Sequence, residues 1–223
     1  MIAHSLRKLL QLCREPLAIL KIDFRNAFNN ISREAFLHIV NLYYPGGVAS
    51  YISHAYCDAP ILQFGDFQIH SSEGVQQGDP LSPVLFSMVL HSLIMKLEHE
   101  LDLHLNLWFL DDGVIVATPA VLESVLDIIA NFGFGLDLNL GKCEVFPINQ
   151  ADISSLDPAI KRVTELEILG IPVSHPENFG VQELQTLLSE SLKMSHLQSQ
   201  FLLLQQSFNA RRLNHISELV FCP

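Results

Sequence analysis

The sequence predicts an α+β fold: a small antiparallel sheet backed by helices. Three observations carry this expectation. Runs with apolar residues at helical spacing alternate with short apolar runs too brief for a helix. Two of the short runs, 103–110 and 114–117, flank the acidic turn Asp111-Asp112-Gly113, which is the pattern of a hairpin. Apolar residues make up 49% of the 223 and charged residues only 17%, which suits one sizeable core and excludes a disordered chain.

The elements follow in order. Residues 2–14 predict an amphipathic helix, with Ile2, Leu6, Leu9, Leu10 and Cys13 near helical spacing, ended by Glu15-Pro16. The apolar run 17–24 predicts a buried strand. Ser32 is placed to N-cap a helix reaching Tyr43. Pro45-Gly46-Gly47 breaks the chain, and a second helix is expected over 48–56. Residues 61–64 and 67–70 flank Gly65-Asp66 as a hairpin. A turn-rich loop, 74–83, precedes a long apolar helix to Glu100. After the 103–117 hairpin come a helix over 119–132 and short strands over 143–146 and 168–173. Residues 181–219 read as helical, rich in Leu, Gln and Ser. The Leu81-to-Leu97 stretch carries Ser82, Pro83, His91, Ser92 and Lys96, too polar to span a membrane.

Charge is unevenly spread. The chain carries 13 Lys+Arg against 24 Asp+Glu, a net −11. Residues 1–33 are net +4, 34–141 net −12 with Lys96 the lone cation, and 142–223 net −3. This balance opposes a simple basic nucleic-acid binder. The four cysteines (Cys13, Cys57, Cys143, Cys222) are dispersed and form no CxxC pair. Reduced thiols and no signal-peptide pattern point to an intracellular protein, cytoplasmic or nuclear. His99-Glu100-x-x-x-His104 is one residue too long for a zinc helix.

Three acids stand where acids are least expected. Asp23 ends an apolar strand, and Asp111 and Asp112 sit at the tip of an apolar hairpin. Carboxylates on rigid elements, short of nearby Lys or Arg, are candidate ligands for a hard cation that keeps room for substrate phosphates. Asp and Gly are also ordinary turn residues, so these positions alone leave both readings open.

Five short motifs occur in one order. They are Asp23-Phe24-Arg25-Asn26-Ala27-Phe28; Gln76-Gln77-Gly78-Asp79-Pro80-Leu81-Ser82-Pro83-Val84-Leu85-Phe86; Phe109-Leu110-Asp111-Asp112-Gly113; Leu138-Asn139-Leu140-Gly141-Lys142-Cys143; and Leu169-Gly170-Ile171. In this order the chain resembles the reverse transcriptases of non-LTR retrotransposons, over about residues 15–175. The second motif is the most specific, since Gly, two Pro and Gln recur in set places.

The resemblance implies a polymerase palm over 1–175, with truncated fingers at 1–16 and a short helical thumb-like tail at 176–223. It implies RNA-directed DNA polymerisation: Mg²⁺ (or Mn²⁺), dNTPs, and an RNA or DNA template with its primer, with no membrane partner. Asp23, Asp111 and Asp112 would be catalytic metal ligands, with the Phe24 carbonyl able to add one. Phe28 would lie under the incoming sugar and exclude a 2′-hydroxyl, although plain core packing also suits a Phe. Gln77 and Gly78 would line the nucleotide pocket, although Pro80 and Pro83 equally mark the loop that starts a helix. Lys142 would reach the phosphates and act as general acid toward pyrophosphate, or stand as a solvated Lys. Leu169 and Gly170 would grip the primer end. Few residues precede the first motif, and no endonuclease or RNase H region is seen. The alternatives kept open are a non-catalytic retroelement-derived remnant, or a palm-fold domain that binds nucleic acid or protein.

Overall fold

The structure is a computed structural model that describes residues 2–56, 61–76, 78–168 and 171–173. Two compact units divide the chain: Glu15–Val163, and a second that joins residues up to Arg14 with those from Thr164 on.

The first unit is organised by one strand. β1 (Ala18–Ile22) is apolar almost without interruption, as a strand covered on both faces must be. Leu17, Ala18, Ile19, Leu20 and Ile22 are fully buried. Lys21 is the exception, and its ammonium reaches Glu144 at 3.5 Å. β1 is flanked on both sides by antiparallel partners, β5 (Asp112–Ala117) and β6 (Glu144–Pro147). β4 (Leu105–Phe109) and β7 (Lys161–Arg162) complete a five-stranded sheet in the order β4-β5-β1-β6-β7.

The expected all-antiparallel sheet is thus corrected to a mixed one. The β6–β7 ladder is parallel, held by Lys161 N–H to Cys143 O and Val163 N–H to Val145 O, each at 3.0 Å. Parallel neighbours need a crossover of roughly a dozen residues, and 148–160 supply it. The two-residue β7 has too little pattern to be read from sequence.

Helices cover one face of the sheet. The core joins Ala18, Leu20, Ile22, Ile115, Ala117 and Val145 to the apolar stripes of α5 (Ser82–Glu100) and α6 (Pro119–Phe132). In α5 the buried positions 82, 85, 86, 89, 90, 93 and 97 recur at helical spacing. α3 (Arg33–Tyr43) starts as expected, with Ser32 Oγ accepting from Ala35 N–H at 3.2 Å. α4 (Gly47–Tyr56) follows the Pro-Gly-Gly break. β2 (Ile61–Phe64) and β3 (Phe67–His70) pair as the expected hairpin, with Gly65 in the turn at φ +58°. A single-turn α2 (Ala27–Asn30) also forms after Asn26, whose φ is +44°.

In the second unit, α1 (Ile2–Leu12) forms where its spacing predicts. The single strand expected over 168–173 is instead β8 (Glu167–Ile168) paired antiparallel with β9 (Ile171–Pro172). Residues 181–219 lie outside the described residues. Among the described residues no helix is long and apolar enough to cross a membrane.

Candidate active site

The centre of the sheet delivers the first carboxylate. Beyond β1 the chain stays extended: Phe24 bridges Leu138, Asn139 N–H donates to Asp23 O at 2.9 Å, and Arg25 N–H donates to Asp137 O at 2.8 Å. Asp23 is therefore gripped by its backbone on a rigid strand. Its side chain is half-buried, and Oδ1 is buried without any hydrogen-bond partner. A buried carboxylate oxygen without a donor is costly and marks a place for a cation.

The β4–β5 hairpin delivers the other two. Ile22 pairs with Gly113, so the next residues along the two strands are Asp23 and Asp112. The connecting loop is Leu110-Asp111, because Phe109 already pairs with Asp112. This corrects the expected Asp-Asp-Gly turn: Asp112 and Gly113 are strand residues. Gly113 is needed in the strand because the Trp108 ring occupies the space beside it. A Cβ there would collide with Trp108 Cζ3. Leu110 takes the left-handed conformation instead, at φ +53°.

Electrostatics tie the three acids together. Burial, then the charge of Asp111, raises the Asp112 carboxyl above its ordinary range; Lys21 opposes this and Asp23 adds to it. Like charges crowd here with little compensation, an arrangement that a divalent cation relieves. Among the described residues, no group of three or more His, Cys, Asp or Glu side chains is arranged so as to hold a metal ion.

The remaining expected positions fall as follows. The Phe24 ring is buried and stacks toward Trp108, centroids 5.9 Å apart. Phe28 is half-buried on α2 and stacks on Phe86 at 4.4 Å, so core packing claims part of its ring. Gly78 is exposed at φ +90°. It sits third in a turn closed by Asp79 N–H to Gln76 O at 3.2 Å, a position that favours glycine. The two segments expected to line a nucleotide pocket are joined directly, since Val75 N–H donates to Phe28 O at 2.8 Å. Lys142 is exposed in the turn before β6. Its N–H donates to Asn139 O at 2.8 Å, so its turn hangs from the residue that bonds Asp23. Gln77, Leu169 and Gly170 lie outside the described residues.

Arg33 and Tyr56, both buried, form a polar network with the half-buried Asp79 of the second motif, and neither Arg33 nor Tyr56 lies in any of the five motifs. The signals were slight: Arg33 is the last cation before a 62-residue stretch without one, and Tyr56 is a hydroxyl on an apolar helix face.

A family profile described as "Reverse transcriptase (RNA-dependent DNA polymerase)" matches residues 3–173. The chain belongs to the reverse transcriptase family. Its relatives are retrotransposon proteins of the non-LTR type. It is 28% identical to the Pol polyprotein of the type-2 retrotransposable element R2DM of Drosophila melanogaster, over 69% of this chain. It is 32% identical to that of the type-1 retrotransposable element R2 of Popillia japonica, over 45% of this chain. The matches span 17% of each relative's length. Solved structures of telomerase share the fold. One from Candida albicans, in complex with a TWJ fragment of telomeric RNA, has TM-score 0.54 at 13% identity, over 77% of this chain and 32% of that chain. One from Candida tropicalis, in complex with the same kind of fragment, has TM-score 0.57 at 14% identity, over 77% and 31%.

Proposed function

We propose that this reverse transcriptase domain carries the nucleotidyl-transfer centre of an RNA-directed DNA polymerase, adding dNTPs to a primer 3′-hydroxyl on an RNA or DNA template. One observation carries the proposal: in a member of this family, Asp23, whose Oδ1 is buried without a hydrogen-bond partner, follows the strand position paired with Gly113, and its charge acts on Asp112 at the carboxylate-rich hairpin tip. Asp23 and Asp111, with Asp112, would hold Mg²⁺ or Mn²⁺. The open donor set suits Mg²⁺, which commonly takes one or two carboxylates and completes its shell with water and substrate phosphates. Bound metal would supply activation of the attacking hydroxyl and charge neutralisation on the leaving pyrophosphate. Phe28, stacked on Phe86, would lie under the incoming sugar, Gly78 would let backbone approach the base pair, and Lys142 would offer a proton to pyrophosphate. Gln77 would complete the pocket, the Phe24 carbonyl could add a ligand, and Leu169 and Gly170 would belong to the segment that grips the primer end. The reading places the protein inside the cell, in keeping with four dispersed cysteines that form no CxxC pair.

The acid excess favours a second reading. Residues 34–141 are net −12, and duplex affinity comes from Lys and Arg on phosphates. A palm that keeps the fold and acts as a non-catalytic interaction domain would tolerate this deficit. Primer extension separates the two. Incorporation of dNTPs on a primed RNA template with Mg²⁺ or Mn²⁺, abolished by Asp111→Asn, supports the polymerase. No incorporation by folded protein supports the interaction domain.

A further inference from the structure

Arg33 is 8% exposed, and among the described residues no carboxylate pairs with it. Its guanidinium is spent instead on backbone. Nε donates to Gly74 O at 2.9 Å, Nη1 to Ser71 O, and Nη2 to Glu73 O at 3.1 Å and Ser71 Oγ at 2.8 Å. Its Cζ lies over the Tyr56 ring, 5.5 Å from the centroid. The Tyr56 hydroxyl, on a ring 1% exposed, donates to Asp79 Oδ2 and accepts from Gln76 N–H at 3.4 Å. Asp79 Oδ1 then accepts from Leu81 N–H at 2.9 Å, and Ser82 Oγ donates to Gln76 O at 2.6 Å. One helix thus holds the segment before Gly78 and another holds both sides of it, while Gly78 itself stays exposed.

Burying a cation and a phenol to hold a surface loop is expensive. A loop needed only as a connection would be held by turns and apolar contacts. We infer that Arg33 and Tyr56 are positioning residues that set the Gly78 loop for nucleotide binding from behind, without touching substrate. The inference rests on the reading of that loop as part of the nucleotide pocket. Arg33 does this as a planar fork that reaches several carbonyls at once, which a lysine cannot copy.

The test takes the full chain and two readouts. In hydrogen–deuterium exchange, Tyr56→Phe, which keeps the ring packed, speeds exchange at Gln76 and Leu81 by about 10-fold, the worth of one buried hydrogen bond. The sheet amides of Leu20 and Ile115 are unchanged. In equilibrium dialysis with dTTP and Mg²⁺, and in primer extension, both Tyr56→Phe and Arg33→Lys weaken dTTP binding and raise KM by about 10-fold, with kcat within about 2-fold. Unchanged exchange at Gln76 and Leu81, or loss of protection across the sheet in step with the loop, overturns the inference. So does faster loop exchange with unaltered dTTP binding. A wild-type chain that neither binds nor incorporates dTTP sinks the polymerase reading instead, and loop exchange then judges the clamp alone.

Discussion

The indole of Trp108 lies over Gly113, its cross-strand partner, and leaves no room for a side chain there. The same indole stacks toward Phe24, the residue after Asp23. A missing Cβ on β5 therefore lets one aromatic ring brace the strand that carries the first candidate ligand. Cross-strand aromatic cover of a strand glycine is a known stabilising device.

Gly113→Ala should displace that ring. Overpacking costs about 1–3 kcal/mol, read as a lowered urea midpoint. Trp108 is the only tryptophan, so its fluorescence reports the displacement directly. An unchanged emission spectrum and midpoint would show that the ring yields freely.

Asp23→Asn separates stability from chemistry. The Oδ1 of Asp23 has no donor, so neutralising the side chain should leave stability unchanged or raise it by about 1 kcal/mol. Primer extension should fall by about 10³-fold or more, the worth of several kcal/mol of metal-borne stabilisation. Added Mg²⁺ should raise the thermal midpoint of the wild type and not of the variant. A variant as destabilised as it is inactive would make Asp23 structural.

Leu110 holds the hairpin in a conformation that suits glycine, at φ +53°. The left-handed region costs a non-glycine residue about 1–2 kcal/mol, partly offset in a Gly variant by added unfolded-chain entropy. Leu110→Gly should therefore raise stability by up to about 1 kcal/mol, and Leu110→Val, β-branched, should lower it. The reverse order in urea denaturation would refute the assignment of strain.

Glu144 carries a pH dependence. Burial pushes its carboxyl up, but hydrogen bonding to Lys161 at 3.0 Å and the charges of Lys21 and Lys161 outweigh this, so its pKa is held below the usual range. A depressed carboxylate contributes stability above the unfolded-state pKa of about 4.3 and loses it as pH falls through the folded value. Lys161 is mostly exposed, so screening keeps the effect under about 1 kcal/mol. Glu144→Gln should narrow the gap between stability at pH 7 and pH 3. An equal acid response in both proteins would remove the pair from the account.

Local grammar determined much by itself. Ser32 before an amphipathic run, Pro119 opening α6 and Gly65-Asp66 between two apolar tetrads each act within a few residues, so their elements lie where the pattern puts them. The run of motifs likewise marked the family and the three acids, because carboxylates at the ends of apolar strands are visible without a fold. Tertiary structure alone decided the rest. The parallel β7 depends on a crossover that no period encodes. The hairpin turn shifted to Leu110-Asp111 because Trp108 needs the space at Gly113, a contact across strands. Arg33 and Tyr56 found their roles only when α3, α4 and the Gly78 loop met. Their partners are mainly backbone carbonyls and N–H groups, with the side chains of Ser71 and Asp79, up to 41 residues away, and backbone groups carry no signature in a linear sequence.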